Sequence, residues 1–239
     1  MAAGAPTIDH SFPHRWQAEA LAARPGILPA RHFVYPRETE EVERGALEVL
    51  VRPSAQEETT VGVGGFPPLR QEDETQVLRL RFAPLRMTAS AGKGASLGDP
   101  ARLSCDAQPF LATCALGFRD PAVPTGLWSA PHPDWLCAVS GGYAYLIDTT
   151  APERFNMIPY RPVLEVRPVP DAGLLLFVGH HAILAWGVDG EAWQSEKLSS
   201  EGVTVTGIDG GVLRGLGWEL MTDKETPFTL DMGTGQRIP

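Results

Sequence analysis

Residues 183–198 read ILAWGVDGEAWQSEKL, with one apolar run on each side of Asp189-Gly190. An Asp-Gly pair takes up left-handed backbone easily and suits the two-residue turn of a β-hairpin. With Asp189-Gly190 as that turn, Val188 pairs with Glu191, Gly187 with Ala192, and Trp186 with Trp193. An aromatic cross-strand pair contributes roughly 0.5–1.5 kcal/mol beyond the area it buries, and it fixes register. A chain with this segment is committed, here at least, to short antiparallel strands.

The same grammar runs through the second half. WLCAVS and YAYLID flank Gly141-Gly142, and VLEVRPV and LLLFVG flank residues 170–173. LLLFVG and ILAWGV flank His180-His181, VTVTGID and VLRGLGWEL flank Gly210-Gly211, and a last strand is expected at 227–232. VSGGYAYLID, VGHHAILAWG and IDGGVLRGLG echo one another at unequal spacings of about 39 and 30 residues, so no strict repeat is present. With 25 glycines and 22 prolines, the chain leaves little room for long helices. One short helix is expected at about 13–24 within SFPHRWQAEALAAR, where Pro13 suits the first turn, Trp16 and Ala20 share a face, and Pro25-Gly26 ends the run. A further helical turn is expected at 39–44, and strands at 31–35, 46–52, 59–63 and 76–82. Residues 89–100 are glycine-rich and read as a loop or boundary, and DPAVPTG and SAPHPD punctuate the chain near its middle. The expected fold is mainly β: an antiparallel hairpin meander, propeller-like or sandwich-like, with one short N-terminal helix. It divides into an N-terminal region, 1–120, and a C-terminal meander, 127–239, or runs as one continuous domain.

The stretch ILAWGVDGEAWQ resembles the outer hairpin of blades in quinoprotein-like β-propeller repeat proteins, which read apolar run, Asp, Gly, Trp. Asp231, Thr234 and Gly235 in FTLDMGTGQ are similar to the Asp-x-x-Thr-Gly corner of those repeats. The resemblance covers about the last hundred residues and at most three blade-like units, whereas a closed propeller needs about four to eight. It implies a propeller-like architecture and carries over no quinone-contacting residue. The chain as a whole resembles a set of bacterial proteins that imply no activity.

The net charge of −9 argues against nucleic acid, because phosphate binding needs a basic surface. The excess lies mostly in residues 121–239, which carry −7 against −2 for residues 1–120. The longest apolar run, 173–179, is far shorter than a membrane span, and MAAGAPTIDHSF lacks the pattern of a secretory signal. Cys105, Cys114 and Cys137 form no CxxC pair, so buried free thiols in the cytoplasm are expected.

No motif specific to a catalyst stands out. Gly62-Val63-Gly64-Gly65 runs into Phe66-Pro67-Pro68, which cannot open the helix a phosphate loop needs, and Lys93 lacks the glycine spacing of a Walker loop. No cofactor is expected. His180 and His181, adjacent in a turn, are read as turn residues first and as ligands or proton-transfer groups second. His10 and His14 have metal-like spacing, but Pro13 interrupts it. Ser140 lies outside a GxSxG elbow, although a triad with His132 or His180 is conceivable. Glu38, Glu40, Glu41 and Glu43 read as a solvated run, and Asp189, Asp209 and Asp231 as turn caps.

These readings favour a non-catalytic binding or protein-interaction module, with a protein partner or self-association through an exposed edge strand. One alternative is a small-molecule enzyme of hydrolase type, assembled from His132, His180, His181, Asp189 and Glu191. Another is a subunit of a larger complex.

Overall fold

The computed structural model describes residues 6–36, 46–54 and 108–238. The helical turn at 39–44, the strands at 59–63 and 76–82, the loop at 89–100, the four glutamates at 38–43, the glycine run at 62–65, Lys93 and Cys105 lie outside the described residues.

The described chain forms sixteen strands in four sheets. The first sheet has the order β2 (Trp16–Leu21), β4 (Ala46–Pro53), β5 (Phe110–Ala115), β3 (His32–Tyr35), and only β3 and β5 run parallel. In the second, β1 (Thr7–Asp9) lies parallel to β6 (Gly126–Ser129), and β7 (Trp135–Ser140), β8 (Tyr143–Asp148) and β9 (Phe155–Met157) follow antiparallel. The third is a meander of β10 (Glu165–Val169), β11 (Leu174–Val178), β12 (Ile183–Gly187) and β13 (Gly190–Gln194). The fourth comprises β14 (Val203–Asp209), β15 (Val212–Glu219) and β16 (Lys224–Asp231). Among the described residues every sheet has two end strands, and no barrel closes.

Three apolar clusters join the sheets in series. Trp16, Val49, Val51 and Phe110 of the first sheet meet Leu127, Leu136, Tyr145 and Ile147 of the second. The other face of the second sheet, with Trp128, Cys137, Val139 and Leu146, packs on Leu175, Phe177, Leu184 and Trp186 of the third. The far face of the third, with Leu176, Val178, Ile183 and Trp193, packs on Val205, Leu213, Phe228 and Leu230 of the fourth. The sequence pattern follows from this layering. Strands β8, β11 and β12 are covered on both faces and read as continuous apolar runs, whereas β14 has one wet face and alternates Val203, Thr204, Val205.

Two expectations are corrected. The segment expected to be helical contains β2, and the only helical piece among the described residues is a 3-10 turn at Pro170–Ala172. Trp16 is buried and Ala18 and Ala20 are half-buried, while Gln17 and Glu19 face water. That is the period of a strand, and ladder pairing from Trp16↔Pro53 to Leu21↔Glu48 outweighs alanine's helix preference.

The second correction concerns the Trp186 hairpin. Its loop residues are Val188 and Asp189, because Gly187 pairs with Gly190 and Trp186 with Glu191. Gly190 has φ +124°, a conformation open to glycine and costly for other residues. The register then slips between Ala185 and Trp186, so Ala192 is the extra residue of a bulge and Trp193 faces Ala185. The two indoles therefore leave the hairpin on opposite faces, Trp186 toward the second sheet and Trp193 toward the fourth. The hairpin itself stands; the indole pair does not.

Cys114 and Cys137 are free and buried in different clusters, and burial pushes both thiols well above their ordinary range. On the first sheet, the Thr113 hydroxyl donates to Glu48 Oε2 (2.6 Å), and His32 Nε2 lies 2.8 Å from the same hydroxyl oxygen. With the hydroxyl proton given to Glu48, the ring N–H of His32 is the donor. Burial, reinforced by the Arg24 charge, lowers the His32 pKa below its ordinary 6.5, against a smaller opposing pull from Glu48. The unfolded chain therefore takes up a proton at this histidine before the folded one does. The contribution of His32 to stability is complete above pH 6.5 and is lost as pH falls from there through the lowered folded value. A melting-temperature series across that window should fall for the parent and less steeply for His32→Gln.

Candidate functional site

At one end of the second and third sheets lies a cleft of about 530 Å³, lined by Trp135, Asn156, Trp186, Val188, Asp189, Gly190 and Glu191. That volume is in the range of small-molecule sites. Strand parity explains how the residues meet. On β9, Asn156 pairs with Leu146, and Leu146 faces the third sheet. On β13, Glu191 pairs with Trp186, and Trp186 faces the second. The bulge at Ala192 gives Glu191 this face while Trp193 keeps the other. The rings of Trp135 and Trp186 stand 6.3 Å apart at 43°, forming an aromatic corner.

The Trp135 side of the corner is held from outside the cleft. Trp16 Nε1 donates to the Trp135 carbonyl (3.1 Å), and Arg15 pairs with Asp134 at 2.7 Å. In the same turn the Asp134 N–H donates to His132 Nδ1 (3.2 Å), and the Thr149 N–H donates to the Asp134 carbonyl (2.8 Å). His132 therefore shapes the turn that delivers Trp135. Nearby, the half-buried Tyr160 packs against the same core, with Gln194 beside its hydroxyl. Burial pushes this phenol up to about 12, and the Glu191 charge acts in the same direction.

Asp189 and Glu191 differ from Asp148 and Asp231, whose carboxylates are held by their own turns. Asp148 accepts from Thr150 and Ala151 and pairs with Arg154; Asp231 accepts from Gly233 and Thr234. Among the described residues, neither the Asp189 nor the Glu191 carboxylate has a hydrogen bond or an ion pair. A second cleft of about 620 Å³, between the third and fourth sheets, is lined by residues that include Asp171, Asp209 and Asp231. There Asp231 is engaged in its own turn, and Trp193 Nε1 is bound to the Met232 carbonyl (2.7 Å).

The other sequence candidates do not converge on the aromatic corner. His180 and His181 occupy the 179–182 reversal, at the opposite end of β12 from Asp189, a separation of roughly 17 Å for five residues. His181 takes part in anchoring residues 198–199, whose N–H groups both donate to its carbonyl, and its Nδ1 lies 3.2 Å from the Ser199 carbonyl oxygen. His180 Nδ1 is buried without a partner among the described residues. Ser140 shares the face of Leu136 and Ala138 toward the first sheet, so β7 itself separates its hydroxyl from the third sheet and His180. His10 and His14 stack at 4.7 Å, and His14 lies 4.4 Å from Trp16 with Nδ1 3.0 Å from the Phe12 carbonyl oxygen. No group of three or more His, Cys, Asp or Glu among the described residues is placed to hold a metal ion.

Asp189 and Glu191 were thus legible as candidates, while Trp135, Asn156 and the cleft-lining position of Trp186 were not. WLCAVS reads as an ordinary core strand, and nothing local marks its first residue as a cleft wall. Among the described residues no helix is long and apolar enough to cross a membrane. In comparisons with known proteins, no family model, curated protein or solved structure matches the chain.

Proposed function

We propose that this chain is a non-catalytic binding module that takes its ligand in the cleft between the second and third sheets. The observation that carries this reading is the aromatic corner of Trp135 and Trp186 with three polar side chains, Asn156, Asp189 and Glu191, around it. Binding sites pair apolar and aromatic walls with a few orienting polar groups, and this cleft has that make-up. The two histidines of the alternative enzyme reading, His180 and His181, lie at the far end of β12 and do not join this cleft.

A propeller-type ancestry for the second, third and fourth sheets belongs to the same proposal. It is supported by the Asp231–Thr234–Gly235 corner, where Asp231 Oδ1 receives the Thr234 N–H and hydroxyl, and by Trp193, whose ring lies directly over Gly235. Two buried free thiols fit a reducing, cytoplasmic setting. The outer edge of β13 is the place where a protein partner or a second copy would add a strand.

The test is a fragment screen by thermal shift and by indole N–H resonances, using sugars, amines, amino acids and nucleosides. At least one class should shift the Trp135 and Trp186 signals, and Asn156→Ala should weaken it. No fragment perturbing either indole would overturn the reading.

A further inference from the structure

We infer that the ligand of the aromatic cleft is an organic cation, an alkylammonium or guanidinium group seated between the Trp135 and Trp186 rings and the Asp189 and Glu191 carboxylates. This rests on the cleft being a binding site, and it goes further by naming the chemistry.

The argument starts from charge. Two carboxylates line the cleft, no lysine or arginine does, and neither carboxylate is neutralised among the described residues. They lie in the half of the chain that carries −7, so the surrounding field concentrates cations and repels anions. The walls agree with this. An indole face bears negative potential, and a cation within about 6 Å of the ring centroid is attracted to it. Two rings 6.3 Å apart and tilted by 43° form a corner rather than a flat plate. Trp186 is only 9% exposed, too little to offer a stacking platform to a sugar ring or a nucleobase. A compact charged head group needs only the corner. Asn156, on the opposite wall, supplies a carbonyl oxygen to accept from an N–H of the same group.

The test uses the full chain and calorimetry, with spermidine and Nα-acetyl-lysine methylamide as cations. The Nε-acetyl derivative of the latter is the neutral comparison. Both cations, or the lysine probe alone, should bind and shift the Trp135 and Trp186 indole resonances. Binding of spermidine points to a free amine as the source, and binding of the lysine probe alone points to a basic side chain of a partner protein. Asp189→Asn and Glu191→Gln should each weaken binding roughly five- to tenfold. Both positions lie in or beside the hairpin loop, so unchanged melting curves will show that the variants fold. Affinity should also fall between about 0.01 M and about 1 M salt, as the screening length drops from about 30 to about 3 Å. If the neutral derivative binds as tightly as its parent, or if Glu191→Gln changes nothing, the cation assignment is overturned while the cleft remains a binding site. If no probe of any charge moves the two indoles, both readings fail.

Discussion

Phe177→Ala is expected to lower the free energy of unfolding by about 3–5 kcal/mol, the range for removing a buried aromatic ring. Phe177 is 0% exposed and sits in the middle of β11, paired with Val166 on one side and Leu184 on the other. Its ring fills the layer between the second and third sheets, with Val139, Leu146 and Ile158 in the same cluster. Neighbouring sheets cannot collapse into the space, because each is also pinned by a core on its far face. Whole domains are stable by only about 5–15 kcal/mol, so the loss is a large share of the total. Urea unfolding followed by circular dichroism should show an earlier midpoint with a similar slope. A change below about 1 kcal/mol would mean that these sheets do not pack through Phe177.

Asp148→Ala should cost about 2–4 kcal/mol, for a different reason. The Asp148 side chain is 5% exposed and ends β8 by gathering the turn that follows. Oδ1 accepts from the Thr150 N–H (2.9 Å), the Thr150 hydroxyl (2.7 Å) and the Ala151 N–H (3.1 Å), while Oδ2 pairs with Arg154 at 2.6 Å. Alanine strands those donors; Asp148→Asn keeps an acceptor oxygen and should recover about half of the loss. Because this turn leads into β9, the alanine variant should also disturb Asn156 and weaken ligand binding more than the asparagine variant does. Equal stability of the two variants, by the same urea titration, would refute the assignment.

The sequence spoke most clearly where structure is local. Gly141-Gly142 and Gly210-Gly211 mark hairpins because both glycines of each pair adopt positive φ, +56° and +76° in one and +57° and +78° in the other. Their flanking strands pair as expected, Ser140↔Tyr143 and Asp209↔Val212. The signal weakened where a one-residue choice decides. Asp189-Gly190 and Val188-Asp189 are both acceptable two-residue loops, and only packing on the two neighbouring sheets selects the second together with the bulge at Ala192. It failed where pairing is long-range. β2 looks helical until β4, some thirty residues later, offers it a ladder, and β3 joins β5 in parallel across a still longer stretch of chain. The site was half visible for the same reason. Asp189 and Glu191 are neighbours in sequence, whereas Trp135 and Asn156 reach them only because one sheet lies upon another.

Among the described residues the sheets pack in series, and that has a dynamic consequence. There the fourth sheet is joined to the rest through one core cluster, so it can open while the inner sheets stay sealed. Amide exchange should then be graded along the row, with β14–β16 losing protection first and β7, β8 and β11 last.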